Sequence, residues 1–293
     1  MPARVLDGKA LAERLRRATK DEVEALQRRG VQPNLQVVLV GDDPASAIYV
    51  GNKTKACAEA GIRGDTLRLP ASAREEQVLE LVDKLNRDPA VNGILVQLPL
   101  PKHIDEEHVT HSVLPEKDVD GFHPDNYGRL LAGKPRFIPC TPQGILELLA
   151  QNGIATEGQH AVILGRGNVV GKPLAALLLM KGPRGNATVT VTHTATKHLH
   201  MHARVADILV AAAGKPKFVT APMVKKGATV VDVGINKVLD PSHPKGARTV
   251  GDVDFEAVKE IAGAISPVPG GVGPMTVAML LRNTVQAARL QHG

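Results

Sequence analysis

Tryptophan is absent from this 293-residue chain, and only two tyrosines and four phenylalanines stand in it. So few flat side chains leave nothing for successive nucleobases to stack on, so no nucleic-acid partner is expected despite a formal charge of +6. That small excess, 36 Lys and Arg against 30 Asp and Glu, suits an anionic small molecule instead. Two cysteines, Cys57 and Cys140, provide neither a disulfide framework nor a metal-ligand spacing. Long apolar runs are missing too. The longest, residues 173–180, falls far short of the roughly 20 residues that cross a bilayer, and no membrane partner is expected. The N-terminus is basic but lacks an apolar signal core and carries Asp7 and Glu13, so a cytoplasmic location is expected. With 43% apolar and 23% charged residues the chain has the composition of a globular protein, and its length favours two domains.

Short β-rich runs alternate with helical segments, the pattern of an α/β fold with parallel strands. The spacing predicts a helix from Asp7, as N-cap, to Gly30, then strands at 35–40, 66–69 and 93–97 separated by helices at 45–61 and 73–88. Residues 99–142, rich in Pro, Gly, Asp and His, read as a long irregular stretch of the kind that carries function. A second βα series follows, with strands at 160–165, 187–192, 206–213 and 228–234, and the chain ends in an amphipathic helix. The domain boundary falls near residue 140. It separates residues 1–140, joined by a returning C-terminal helix at 275–293, from a Rossmann-like unit at 141–274.

The run HAVILGRGNVVGKP (residues 160–173) is a strand, a glycine-rich turn and a helix start. Gly165, Gly167 and Gly171 form G-x-G-x-x-x-G, one residue longer than the usual dinucleotide fingerprint. A plain tight turn would use the same glycines, but the strand before and the helix after supply the context a pyrophosphate site needs. The next strand ends with His193 and Thr194 rather than an acid for ribose hydroxyls, and Arg166 sits in the turn. A cation and hydroxyls without a carboxylate point to NADP, with NAD as the alternative.

Tyr49 and Lys53 stand four residues apart and share a helical face. A lysine becomes an acid–base group when burial or neighbours lower its pKa; the same pair equally fits a half-buried tyrosine beside a solvated lysine. Short-chain dehydrogenases also use Tyr-x-x-x-Lys, but their glycine turn opens the chain, whereas here it follows Tyr49 by more than a hundred residues. The His198, His200 and His202 run would align its side chains only on a strand, and no metal is expected.

Nine segments, GDDPASAIYVGNK, GILVQLPLP, PEKDVDGFHPDNYGRL, PCTPQGILELL, GRGNVVGKP, ADILVAAAGKP, VDVGIN, GDVDF and PVPGGVGPMTVAMLLRNT, resemble in order those of the bifunctional methylenetetrahydrofolate dehydrogenase/cyclohydrolase family. The resemblance implies NADP-dependent oxidation of 5,10-methylenetetrahydrofolate to the methenyl form and hydrolysis of that product to 10-formyltetrahydrofolate. It implies that Lys53 serves the hydrolytic step, that Tyr49 packs on the folate, and that Gln97 stands beside the lysine. A neutral amide there orients an amine without raising its pKa as a carboxylate would. Asp120, in KDVDG, corresponds to the acid that holds the pterin; the same segment fails as a calcium loop, because Tyr127 falls where the bidentate Glu should be. Val96, Leu98, Pro99, Pro269, Gly270 and Gly273 correspond to substrate-contacting positions. Thr141, Gly165, Arg166, Gly167, Val170, Gly171, His193, Thr194, Ala213, Gly214, Val233, Gly234 and Ile235 correspond to the cofactor's surroundings.

The family is usually homodimeric, and a homodimer is expected. Three positions depart from its pattern. Gly167 replaces a serine, Thr192-His193-Thr194 replaces Cys-His-Ser, and Ser266 replaces a threonine. Loss of the serine hydroxyl makes the expected NADP preference modest. A monofunctional dehydrogenase of the same fold is one rival reading, against which retention of Lys53 and Gln97 argues; a non-catalytic NADP-binding regulator is another, which would not need Tyr49, Lys53, Gln97 and Asp120 together.

Overall fold

Strand Leu35–Val40 is buried at every residue and pairs in parallel with Thr66–Leu69 on one side and Gly93–Val96 on the other. Five of its six residues are Leu or Val, which suits a parallel strand covered on both faces. This three-stranded sheet belongs to one of two compact units in the computed structural model, which describes residues 2–240 and 246–293. The unit comprises residues 13–140 and 277–293. Helix Glu75–Arg87 buries Val78, Val82 and Leu85 against Val38, Val40, Ile94 and Val96 of the sheet. At the end of the final helix, Val272–His292, the Gln291 amide donates to the Asn92 carbonyl (2.9 Å) and accepts from the Asn92 side chain (3.0 Å).

The stretch 99–142 is less irregular than expected. It contains helices Glu106–Ser112 and Pro124–Leu131, each with a local start signal. Asp105 accepts the N–H groups of Glu107 (2.9 Å) and His108 (3.1 Å), and His123 accepts that of Asp125 (3.1 Å) with Pro124 in the first turn. Neither helix exceeds eight residues, too short for hydrophobic periodicity to show in the sequence.

The second unit comprises residues 1–12 and 141–276. Its six strands lie in the order Arg4–Val5, Ala264–Ile265, Thr229–Asp232, Ile208–Ala211, His160–Leu164, Thr188–Thr192, and every neighbouring pair is parallel. From His160–Leu164 the chain goes first to one side, Thr188–Thr192, and then to the other, Ile208–Ala211. The order reverses there, and ligands of open α/β sheets bind outside the carboxyl ends of the strands at such a point. Val162, Leu164, Leu209, Val230 and Ile265 make the centre of its core. Arg4–Val5, near the start of the chain, pairs with Ala264–Ile265 and extends this sheet. An antiparallel hairpin, Asn236–Leu239 with Ala247–Val250, also belongs to this unit.

Candidate functional site

Helix Pro44–Glu59 starts at an Asp43 cap, whose carboxylate accepts the Ser46 N–H at 2.7 Å. It carries Tyr49 and, one turn later, Lys53. The ammonium of Lys53 donates to Gln97 Oε1 at 3.0 Å. Gln97 follows strand Gly93–Val96, and its amide nitrogen donates to the adjacent Leu98 carbonyl at 2.6 Å. The donor end of the amide is thereby occupied, and its acceptor end faces the lysine. Leu98–Pro99 is a cis peptide bond. Tyr49 is about one-third exposed, and burial of the rest raises its hydroxyl pKa. Cys57, one turn beyond Lys53, is buried, and burial pushes its thiol up to about 12 although the lysine charge opposes the shift. It behaves as a small apolar side chain.

The KDVDG segment uses its first two charges for architecture. Lys117 is buried, and its ammonium donates to the carbonyls of Leu85 (3.1 Å), Asn86 (2.8 Å) and Asp88 (2.7 Å), capping helix Glu75–Arg87. Asp118 accepts from the N–H groups of Gly121 (3.1 Å) and His123 (2.8 Å) and from the Asn126 amide (2.8 Å). These bonds fix the turn that presents Asp120. Burial raises the pKa of the Asp120 carboxyl, while the nearby Lys53 charge and a hydrogen bond from the Cys140 thiol pull it down. Tyr127 lies close as well; burial raises its hydroxyl pKa, and the charges of Asp118 and Asp120 add to that shift. Lys53, Gln97, Asp120, Cys140 and Tyr127 thus form one constellation of an amine, an amide, a desolvated acid and two weak donors.

In the other unit, Gly165 ends strand His160–Leu164 at φ +134°, and a β-carbon on it would stand 2.2 Å from the Ala212 carbonyl oxygen. A β-carbon on Gly171, at the start of helix Gly171–Leu179, would stand 2.1 Å from the Gly165 carbonyl oxygen. Both positions therefore require glycine, as a turn that brings backbone close to a pyrophosphate does. Gly167 meets no such contact, so a side chain would fit there. Val170 is the N-cap of the following helix. Beside the turn opens a cavity of about 450 Å³ lined by Arg166, His193, Thr194, Ala213, Lys215 and Phe218, among others. His193 Nδ1 accepts the Ala195 N–H at 3.2 Å, which leaves the ring proton on Nε2 as a donor.

The Thr141 hydroxyl lies 3.0 Å from that of Thr276. Pro269 and Gly270 sit in a loop closed by a Gly271 N–H to Pro267 carbonyl bond (2.8 Å) and by the Lys9 N–H on the Gly270 carbonyl (2.9 Å). Gly273 follows in the first turn of the final helix.

Two buried acids lie at the ends of these loops. Asp232, which ends strand Thr229–Asp232, is 3% exposed, and burial pushes its carboxyl up to about 6. Three backbone N–H donors oppose that shift, and the charge of Asp252 adds to it. The folded chain therefore keeps a proton that the unfolded chain, with an ordinary value of 3.8, has released. Stability from this group is greatest below about pH 4 and falls as pH rises through about 6, a loss on the order of 3 kcal/mol. A carbon-13 titration of the Asp232 carboxyl is expected to show its midpoint near 6; a midpoint near 4 would remove the stability slope.

The structure thus gathers Tyr49, Lys53, Val96, Gln97, Leu98, Pro99 and Asp120 in one unit, and the positions from Thr141 to Gly273 in the other. Gly214 has φ +64°, and Val233, Gly234 and Ile235 leave the carboxyl end of strand Thr229–Asp232. Cys140, Lys215, Phe218, Asp232 and Asp252 were not expected from sequence. Cys140, Lys215, Asp232 and Asp252 lie inside the segments PCTPQGILELL, ADILVAAAGKP, VDVGIN and GDVDF, and only Phe218 falls outside all nine. His200 and His202 ride on helix Leu199–Arg204, where residues two apart point about 200° away from each other.

A glycine turn at the switch point of an all-parallel sheet places the chain in the class of two-unit α/β proteins with a Rossmann-like dinucleotide-binding unit. Two family models narrow the class: "Tetrahydrofolate dehydrogenase/cyclohydrolase, catalytic domain" matches residues 6–120, and the corresponding "NAD(P)-binding domain" matches residues 139–292. The chain belongs to the tetrahydrofolate dehydrogenase/cyclohydrolase family. It is 54% identical to bifunctional protein FolD 1 of Myxococcus xanthus over 98% of both chains. Among solved structures it is similar to the bifunctional FolD enzyme of Campylobacter jejuni, at 47% identity and TM-score 0.92 over 98% of each chain. It is also similar to the Trypanosoma brucei dehydrogenase–cyclohydrolase complexed with NADP and an inhibitor, at 41% identity and TM-score 0.94 over 99% of this chain and 98% of that one.

Proposed function

We propose that the protein oxidises 5,10-methylenetetrahydrofolate with NADP and then hydrolyses the 5,10-methenyl product to 10-formyltetrahydrofolate. The observation that carries the reading is the Lys53–Gln97 hydrogen bond beside the buried Asp120, in a chain whose other unit keeps the glycine turn and its cavity. NADP, when bound, accepts the hydride. Gly165, Gly171 and Ala213 offer close backbone approach, and Arg166 and Thr194 are the groups suited to a 2′-phosphate.

In the other unit Asp120 accepts the pterin's N–H groups, and Tyr49 lies against the ring. For hydrolysis, water adds to the methenyl carbon as its proton passes to a base. The hydroxyl then gives up its proton as the carbonyl forms, the carbon–N5 bond breaks as N5 gains a proton, and the formyl group stays on N10. Lys53 Nζ moves these protons. Gln97 holds it there without a negative charge that would bind its proton more tightly. The same protein incubated with methylenetetrahydrofolate and each dinucleotide, followed by absorbance of the methenyl and reduced-nicotinamide species, tests the reading. Methenyl accumulating without hydrolysis would leave a monofunctional dehydrogenase, and no reaction with dinucleotide still bound would leave a regulator.

In that assay Arg166→Ala is expected to lower kcat/KM for NADP by about ten- to a hundredfold while sparing NAD, since only NADP carries the phosphate charge. An equal loss for both would confine Arg166 to shaping the turn. The protein is further proposed to act as a cytoplasmic homodimer, a form that sedimentation equilibrium reads directly.

A further inference from the structure

We propose that Asp252 is a positioning residue of the dinucleotide site, its buried carboxylate holding the turn that follows strand Ile208–Ala211 in the shape that lines the cofactor cavity. Asp252 is fully buried, and its Oδ2 accepts two successive backbone N–H groups, from Ala213 at 2.7 Å and Gly214 at 2.8 Å. Its Oδ1 accepts the Asn236 amide at 2.9 Å. Three donors from two separate segments, a turn and the start of strand Asn236–Leu239, thus converge on one side chain, and Ala213 is itself a wall of the cavity with Arg166 and Lys215.

Asp232 performs the same task one step back. Its Oδ1 accepts the N–H groups of Gly234 (3.0 Å) and Asp252 (2.9 Å), and its Oδ2 that of Val253 (3.0 Å), so it fixes the backbone from which Asp252 projects. The arrangement leaves no room for substitution nearby. A β-carbon on Gly234 would lie 2.2 Å from Asp252 Oδ1, and one on Gly251 would lie 1.8 Å from Asp232 Oδ2. Only an ionised carboxylate offers acceptors alone on both oxygens; an amide must present a donor to one of these donors. Burying a charge without a cation is costly, and here convergent N–H groups stand in for one. The loops so held carry Ala213, Gly214, Gly234 and Ile235, and the inference rests on the proposal above that they surround the dinucleotide.

The experiment uses the full chain in three variants. Asp252→Asn puts an NH2 group against the Asn236 amide. The double exchange Asp252→Asn with Asn236→Asp restores a donor facing an acceptor. Asn236→Ala removes one donor and keeps the carboxylate, which serves if the first variant does not fold. Calorimetric NADP titration, dehydrogenase kcat and KM, and hydrolysis of methenyltetrahydrofolate without dinucleotide are measured for each. Asp252→Asn is expected to raise Kd and KM for NADP by about tenfold or more, with hydrolysis within about twofold of wild type, and the double exchange to recover most of the affinity. Asn236→Ala is expected to raise both by about threefold. Unchanged NADP affinity in Asp252→Asn, or in Asn236→Ala if that variant alone folds, would overturn the proposal. So would a parallel loss of both activities in every variant, which assigns a folding role only. Failure of the wild-type chain to bind NADP would instead overturn the cofactor reading beneath it.

Discussion

A Lys53→Met variant is expected to lose hydrolysis of methenyltetrahydrofolate by at least about a hundredfold, the lower range of what a positioned acid–base group supplies. Methionine keeps much of the lysine's length and apolar stem, so helix Pro44–Glu59 loses a proton carrier and little packing. Gln97 Oε1 loses its 3.0 Å donor, but the Leu98 carbonyl still holds the amide by its nitrogen. Hydride transfer needs no proton from this side chain and is expected to survive in part. Removal of the amine also withdraws a positive charge from Asp120, whose carboxyl is then held further above the usual range by burial. Some loss of folate affinity should accompany the main effect. Stopped-flow decay of methenyl absorbance checks the result, and wild-type decay in the variant would sink the role.

Asp120→Ala is expected to weaken folate binding by about 2–4 kcal/mol, or roughly thirty- to a thousandfold in Kd. Its carboxylate is desolvated, with Lys53 and the Cys140 thiol as its partners in the fold, so a pterin edge that donates two N–H groups meets an acceptor already stripped of water. Truncation leaves those N–H groups without a charged acceptor. Because one site is proposed for both substrates, dehydrogenase and hydrolase activities should fall together, unlike the split expected for Lys53→Met. Folding is protected, since Lys117 and Asp118, rather than Asp120, tie the segment to its neighbours. Fluorescence titration with folate decides it: an unchanged Kd removes Asp120 from the site.

The contrast between Asp118 and Asp120 shows how much of the site is legible in sequence. Two acids two residues apart look alike, yet one spends its lone pairs on Gly121, His123 and Asn126 while the other meets the Cys140 thiol and the Lys53 charge. Tyr49 and Lys53 are legible as a pair because they share a helix, whereas Gln97 is reached only through the family resemblance. The roles of Cys140 and Asp252 depend on contacts with residues 16 to 39 positions away, which no local pattern records.

The fold divides the same way. Strands Leu35–Val40 and Thr188–Thr192 lie where their Val- and Thr-rich runs put them. Arg4–Val5 is two residues long, and only its pairing with Ala264–Ile265 makes it a strand. Helix Leu199–Arg204 likewise hides in a histidine run too short to carry a period.

Neither unit is a contiguous stretch of chain, since residues 1–12 join 141–276 and residues 13–140 join 277–293. During synthesis the unit begun by residue 13 therefore waits for the last-made helix, and the sheet begun by Arg4–Val5 waits for Ala264–Ile265. The dinucleotide unit can close first, although most of it is translated second. Until the last helix is made, the carbonyls of Val119 and Ile138 lack the Asn283 amide that bonds both of them in the folded chain. A cut at residue 140 would release two fragments, each lacking a piece of itself that the other carries.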